Sequence, residues 1–419
     1  MKILHVNCTD QGSTGKIVLD IAKYAVQTGS HCVLCTPVVH EPRRELKKYR
    51  TSFPYEQGLY RRINYCLGLR YGFAPVSTAR ICRVIDRQKP DVVHLHSVNG
   101  DMVNLYALLR FLKKRNLPTV ITNHAEFFYT GSCPYTRGCE GWKTGCGHCP
   151  NLFYAAASRF FDRTHTAWLK MRKGLSSVPG LYAVSVSEYI RSRSARSPIM
   201  EGIPQRVITN GVDTQIFHPL DSRELRKRLQ IPADWKVILH VTAMFSLDKN
   251  SVKGSAYLLE LAQRFRGEKV LFLVVGSCNG TVAPQKNIRF LGKIEDQSLL
   301  AGCYSMADLS LITSRHETFG MPVAEALCCG TPVVGFRAGG PESVALPQWS
   351  EFVDYGNVDQ LEKIIRSKWL WEKTPERRHA IAAQAEAAYD SRRMAQEYFQ
   401  VYETVLKHAA ASENGRKQK

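Results

Sequence analysis

Short apolar runs, five to nine residues long, recur along the chain between longer stretches whose apolar positions follow helical spacing. In the first half they cover 2–8, 31–39, 91–97, 118–124 and 181–187; in the second, 236–243, 270–277, 288–292, 308–313 and 331–336. Runs too short for helices, alternating with helical segments, predict strands of a parallel α/β sheet. Two such sets, each with its own glycine-marked turns, predict two doubly wound domains. The seam falls where Pro198, Gly202, Pro204, Gly211 and Pro219 cluster. The expected organisation is an N-terminal domain over 1–204 with a cysteine-rich insertion at about 124–150, a C-terminal domain over 205–385, and a final helix over 386–412. Tyr398, Phe399, Tyr402 and Val405 would form an apolar stripe on that helix, and the polar stretch 413–419 is expected to be disordered. At 419 residues, each domain can bury its own core.

Candidate chemistry concentrates at strand ends. The run 308–313 leads into a loop holding Glu317; Gly320 and Pro322 then open a helix containing Glu325, and Gly330 stops it. Proline is tolerated in a first helical turn because its missing N–H has no partner there. Two carboxylates therefore lie near the carboxyl end of a strand, beside free N–H groups that suit an anion, in the crevice where open sheets bind ligands. Spacing alone equally allows a solvated pair beside an ordinary turn.

Other strand ends offer further groups. Gly12 and Gly15 follow the first run, ahead of a helix expected to open at about Ile17, and could let the backbone approach an anion. The segment is not a P-loop: Asp10 stands where that motif needs Gly, and Ile17 where it needs Ser or Thr. A plain strand-to-helix turn is the alternative. Lys253, just past the run 236–243, is a point charge suited to a diphosphate. His124 ends the run 118–124 and could donate a hydrogen bond to a substrate, although a histidine there is often structural. His94 and His96 alternate onto one strand face and read as buried structural groups. Cys133, Cys139, Cys146 and Cys149, with glycines between them, could bind a structural zinc ion, remain thiols or form two disulfides.

The segment Glu317, Phe319, Gly320, Pro322, Glu325, Ala326, Gly330, Pro332, Val333, Val334 resembles the Glu-x7-Glu signature of retaining, nucleotide-sugar-dependent family-4 glycosyltransferases. The stretch from Val207 to Pro219 resembles that family's interdomain segment. Residues 124–150 resemble its colanic-acid and exopolysaccharide subgroup in His124, Thr130, Gly131 and the four cysteines, with Ala125 and Phe127 departing from the pattern. The resemblance implies a GT-B fold, two Rossmann-like domains facing a cleft, with the last helix crossing back to the N-terminal domain. It implies that Lys253, Phe319, Gly320, Met321, Glu325, Gly12 and Gly15 bind the donor, that His124 and Glu317 hold the reacting sugar, and that catalysis needs no cofactor. Leu247 stands where the family has an arginine, which leaves Lys249 as a replacement cation.

Charge refines the picture. Lys and Arg outnumber Asp and Glu by 29 to 13 up to residue 204, a net of +16, and by 28 to 24 thereafter, a net of +4. The excess gathers in Arg43-Arg44, Lys47-Lys48, Arg50, Arg61-Arg62, Arg70 and 113–115, interleaved with aromatics from Phe53 to Phe73. With the resemblance, this mix points to the anionic inner leaflet of a membrane and a lipid-linked oligosaccharide acceptor, not to nucleic acid. No apolar stretch is long enough to cross a bilayer, and Met1-Lys-Ile-Leu-His reads as a strand rather than a signal peptide. The expected location is the cytoplasm, peripheral on the inner membrane, with a UDP- or GDP-sugar as donor. Two rivals stand: a zinc-containing nucleic-acid-binding protein, which leaves Glu317 and Glu325 unexplained, and a degenerate transferase acting as an assembly partner.

Overall fold

The computed structural model describes residues 1–280, 282, 285–369 and 374–417. It divides into two compact units, Met1–Ile208 with Arg392–Lys419, and Thr209–Ser391.

The first unit is built on a seven-stranded sheet of β1 (Lys2–Val6), β2 (His31–Thr36), β3 (Leu46–Arg50), β4 (Val92–Leu95), β5 (Thr119–Asn123), β6 (Tyr182–Ser185) and β7 (Gln205–Val207). All neighbours are parallel, in the order β3-β2-β1-β4-β5-β6-β7. The five apolar runs of the first half became β1, β2, β4, β5 and β6. The remaining two strands are edges: β3 reads Leu-Lys-Lys-Tyr-Arg, and β7 has three half-buried residues. Charged or short edges resist pairing with other chains and carry no apolar signal. Because β7 pairs with β6, residues 205–208 belong to this unit and the division falls after Ile208.

The helix Gly12–Gln27 lays Ile17, Val18, Ile21, Ala22 and Ala25 on the sheet, a stripe at helical spacing. It starts at Gly12 rather than near Ile17. A Cβ on Gly15 would lie 2.5 Å from the carbonyl carbon of Asp10, so glycine lets the chain turn straight from β1 into the helix. The same core receives Met394, Ala395, Tyr398, Val401, Tyr402 and Val405 from the final helix, Ser391–Lys417. That helix does not begin at residue 386. The chain breaks at Asp390, whose backbone bridges to Val212 and whose carboxylate accepts a 2.7 Å hydrogen bond from Thr214. Residues up to Tyr389 therefore end the preceding helix, Pro375–Tyr389. Of the stretch 413–419, the backbone is helical to Lys417, and 418–419 lie outside the described residues.

The second unit holds a six-stranded sheet of β8 (Lys236–Ser246), β9 (Val270–Asn279), β10 (Ile288–Phe290), β11 (Leu309–Ile312), β12 (Val333–Phe336) and β13 (Ser350–Val353), again all parallel, in the order β10-β9-β8-β11-β12-β13. Only the edge strand β13 was not foreshadowed by an apolar run. In both sheets the first strand is central and the order reverses beside it, between β1 and β4 and between β8 and β11. Such switch points open a crevice at the carboxyl ends of the strands. Among the described residues, no helix is long and apolar enough to cross a membrane.

Candidate functional site

In the second unit, the loops leaving β8 and β11 meet at the switch point. Gly254 permits this: its φ is +57°, and a Cβ there would lie 2.1 Å from the Thr313 carbonyl oxygen. Thr313 Oγ1 donates to the Lys253 carbonyl at 2.9 Å, and Arg315 N–H donates to the Val252 carbonyl at 2.8 Å. This stitching brings Lys253 to Glu317. Lys253 Nζ donates to Glu317 Oε1 at 2.6 Å, and Ser314 Oγ donates to the same oxygen at 3.1 Å. The Glu317 main chain is clamped as well. Its N–H donates to the Ala338 carbonyl and its carbonyl accepts from Gly340 N–H, each at 2.9 Å.

The next helix, Met321–Cys328, opens on Gly320 at φ +89° with Pro322 in its first turn. Phe319 is buried with its ring edge-on to Tyr389, and Met321 is half-buried. Glu325 lies in the second turn, buried, and its Oε2 accepts a hydrogen bond from Tyr304 at 2.9 Å. Burial, and then the neighbouring Glu325 charge, push the Tyr304 phenol well above its usual range. The structure thus brings Lys253 and Glu317 into contact beside a helix start and seats Glu325 on that helix with a buried donor. Lys249 is engaged elsewhere: Nζ lies 3.3 Å from Glu260 on an exposed surface.

Two residues of this region escaped the sequence reading. Arg315 precedes Glu317 by two and places its guanidinium over the Tyr355 ring, 5.6 Å from the centroid. A cation inside the motif was the available signal. Tyr304 comes from the helix Gln297–Met306, and no spacing rule links it to Glu325.

In the first unit, the loop after β1 is fixed by Asp10. Its carboxylate accepts from Lys48 Nζ at 2.8 Å, from His40 N–H at 3.1 Å, and faces His40 Nδ1 at 2.5 Å. Burial alone would raise the Asp10 carboxyl, but the hydrogen bonds from Lys48 and His40 bring it down to about 2. The Lys48 side chain is only 6% exposed, so it leaves the basic surface to which the sequence assigned it. Gly12, at φ +67°, and Gly15 lie directly after this anchor.

His124 follows β5 and is half-buried. Its Nε2 lies 3.1 Å from His96 Nδ1, His96 Nε2 lies 2.9 Å from His5 Nδ1, and His5 Nε2 lies 3.4 Å from Cys32 Sγ. His94 completes the cluster, 2.7 Å from both Tyr402 Oη and Thr122 Oγ1. Burial lowers His5 and His124 to about 3 and holds His94 and His96 well below the usual imidazole range. Among the described residues, His5, His94 and His96 form the one group with three potential ligand atoms within 4.8 Å of one another. Their ring nitrogens are already hydrogen-bonded, so the cluster reads as a neutral buried relay behind His124 and not as a metal site.

Glu126, two residues on, is fully buried. Its carboxylate accepts from Tyr129 at 2.7 Å, Thr136 N–H at 2.5 Å and Arg193 Nε at 2.8 Å, which ties the cysteine segment to the helix Glu188–Ser194. Cys133, Cys139, Cys146 and Cys149 line one cavity of about 30 Å³. Burial, then the neighbouring thiols, push the Cys146 thiol up to about 12 and raise that of Cys133 as well.

This geometry agrees with what the chain is similar to. The profile of Glycosyltransferase Family 4 matches residues 14–216, and that of Glycosyl transferases group 1 matches residues 221–388. WcaC of Escherichia coli, assigned as a colanic acid biosynthesis glycosyl transferase, is 22% identical over 96% of this chain and 95% of its own. Among solved structures, sucrose-phosphate synthase from Thermosynechococcus elongatus superposes with a TM-score of 0.70 at 16% identity, over 97% of this chain and 99% of that one. HepE from Anabaena, solved in complex with UDP and glucose, gives a TM-score of 0.61 at 15% identity, over 96% of this chain and all of that one. The two parallel α/β units have the GT-B fold, and the chain belongs to the family-4, group-1 glycosyltransferases.

Proposed function

We propose that the chain moves a hexosyl unit from a nucleoside-diphosphate sugar to a lipid-linked glycan in cell-surface polysaccharide synthesis, with retention at the anomeric carbon. The observation that carries this reading is the meeting of Lys253 and Glu317 beside the start of the Met321–Cys328 helix. A departing diphosphate accumulates negative charge. A fixed cation and helix N-terminal N–H groups aimed at it stabilise that charge where it develops. Lys253 would exchange Glu317 for the diphosphate when the donor arrives, freeing Glu317 to accept hydrogen bonds from sugar hydroxyls. Phe319, Gly320 and Met321 would present backbone N–H groups. Glu325, held by Tyr304, would accept from the ribose hydroxyls. In the first unit, Gly12 and Gly15 would bring the loop after β1 close to bound substrate. His124 would donate to the sugar, its orientation set by His96. Retention places the acceptor hydroxyl on the face the diphosphate leaves, so no enzyme nucleophile is needed and Glu317 acts as a positioning carboxylate. No cofactor takes part in this scheme. HepE, bound to UDP, favours a uridine donor over a guanosine one.

The lipid-linked acceptor and a position on the cytoplasmic face of the inner membrane rest on one surface of the first unit. Phe153, Tyr154, Phe160 and Phe161 are exposed there, Phe160 by 74%. Tyr65 packs edge-on to Phe160 at 5.9 Å, and Arg70 donates to the Tyr154 carbonyl at 2.6 Å. Arg137 lies over Tyr154 at 3.4 Å and Arg159 over Phe153 at 5.3 Å. Exposed aromatics interleaved with arginines suit an anionic bilayer interface.

The test is calorimetric binding of UDP, GDP and their sugars to wild type and Glu325→Gln, followed by transfer assays on lipid-diphosphate acceptors with product anomer analysis. Binding of one nucleotide that Glu325→Gln weakens, and transfer with retention, is the expected result. Failure to bind any nucleotide, or an inverted product, would overturn the reading.

A further inference from the structure

No step above uses the cysteine segment. We propose that Cys133, Cys139, Cys146 and Cys149 together bind one zinc ion, which fixes this segment against the rest of the first unit. All four are free cysteines, and they line a single small cavity shared with Thr130 and Trp142. No three of the four thiols are yet within 4.8 Å of one another, so binding would draw them together; they form a soft donor set that selects zinc over magnesium or calcium. With all four ligands supplied by protein, no position is left for substrate, so the ion is structural.

The backbone is wound to present these thiols. Gly145, Cys146, Gly147 and His148 have four consecutive positive φ angles, and Gly138 turns the chain ahead of Cys139. Cys146 and His148 pay a conformational cost there, which persists only where surroundings over-determine the turn. Gly141 N–H points at Cys139 Sγ, 3.4 Å away, an arrangement that strengthens when the sulfur is a metal-bound thiolate. Packing alone holds the segment poorly: between 131 and 150, Trp142 is the one buried large hydrophobic side chain. Trp142 is in turn pinned by Trp168 Nε1 donating to its carbonyl at 2.8 Å, with Arg193 over its ring at 5.2 Å. On binding, four S–H protons leave to solvent and four sulfur–zinc bonds form, leaving two net negative charges on the site.

The experiment is elemental analysis of the full chain, purified under reductant without chelator. About one zinc per chain is expected, falling to less than about a tenth in Cys139→Ser and in Cys146→Ser, while Cys66→Ser, on the exposed surface, keeps it. Should those variants misfold, cobalt reconstitution of wild type gives a second reading, the intense absorption of tetrahedral tetrathiolate cobalt. A folded, metal-free protein whose four thiols react freely overturns the proposal. So do two disulfides linking these cysteines under the same conditions. Metal content is read directly, so either result leaves the transferase reading standing.

Discussion

Lys253 and Glu317 are 64 residues apart in sequence, yet Nζ and Oε1 lie 2.6 Å apart on loops leaving neighbouring strands. Both side chains keep contact with water, so the pair contributes at most about 1 kcal/mol to folding. Its value lies in the charge it holds ready. Lys253→Ala is expected to lower kcat/KM by about 10²–10³ with little change in melting temperature. Steady-state transfer assays beside calorimetric melts make the comparison; transfer at the wild-type rate would remove Lys253 from the site.

Glu325 and Tyr304 separate binding from stability. Tyr304→Phe leaves a buried carboxylate short of a donor and should cost about 1.5–3 kcal/mol in urea unfolding. Glu325→Gln keeps an acceptor for Tyr304 and should unfold closer to wild type, yet bind nucleotide at least about tenfold more weakly, because a charged acceptor is lost. Equal nucleotide affinity in wild type and Glu325→Gln would place the ribose elsewhere.

The histidine cluster predicts a pH dependence. His5 and His124 are lowered to about 3, and His94 and His96 lie well below the usual value of 6.5. The folded chain therefore refuses protons that the unfolded chain accepts below 6.5. Stability is fully present above that pH and declines as pH falls toward 3, each histidine contributing up to about 1.4 kcal/mol per pH unit. Urea unfolding at about pH 7.5 and about pH 5.5 should differ by about 5 kcal/mol, with a slope reduced by about a quarter in His96→Gln. A flat profile would mean that the cluster is charged in the folded state.

Asp10 gives the opposite test of the basic surface. Lys48→Met strands a buried carboxylate and should destabilise by about 3 kcal/mol, whereas Lys47→Met, exposed on the same strand, should stay within about 0.5 kcal/mol. The Asp10 carboxyl sits at about 2, so its contribution is present above the unfolded value of 3.8 and disappears as pH falls through about 2. Thermal melts of both variants at neutral pH decide it; equal losses would show that Lys48 is no more buried than Lys47.

Phe160→Ser with Phe161→Ser should reduce binding to anionic phospholipid vesicles by about tenfold, since each exposed aromatic contributes about 1 kcal/mol or less at an interface. Co-sedimentation with anionic and neutral vesicles reads this out. Unchanged binding would move the membrane contact off this surface.

The central strands were legible because burial on both faces writes continuous apolar runs such as Leu271-Phe-Leu-Val-Val275. The edge strands β3, β7 and β13 were not, because their short or charged sequences write no apolar run, whereas the edge β10 still shows one. Lys253, Glu317 and Glu325 could be read from a local motif at strand ends. Tyr304 reaches Glu325 only through helix packing, and Lys48 finds Asp10 only once β3 is placed, so neither left a mark at fixed spacing. The start of the first helix was misread by five residues, since a glycine that looks like a loop can also be the first helical position.

The final helix carries a consequence for synthesis. Tyr398 and Tyr402 reach Thr122 and His94 in the core of the first unit, but they leave the ribosome after the whole of the second unit. The second unit is one uninterrupted segment and can fold as soon as it emerges. The first must wait with an open apolar face for residues nearly three hundred positions downstream of β5, so a nascent chain stalled before 391 should be the form that chaperones hold.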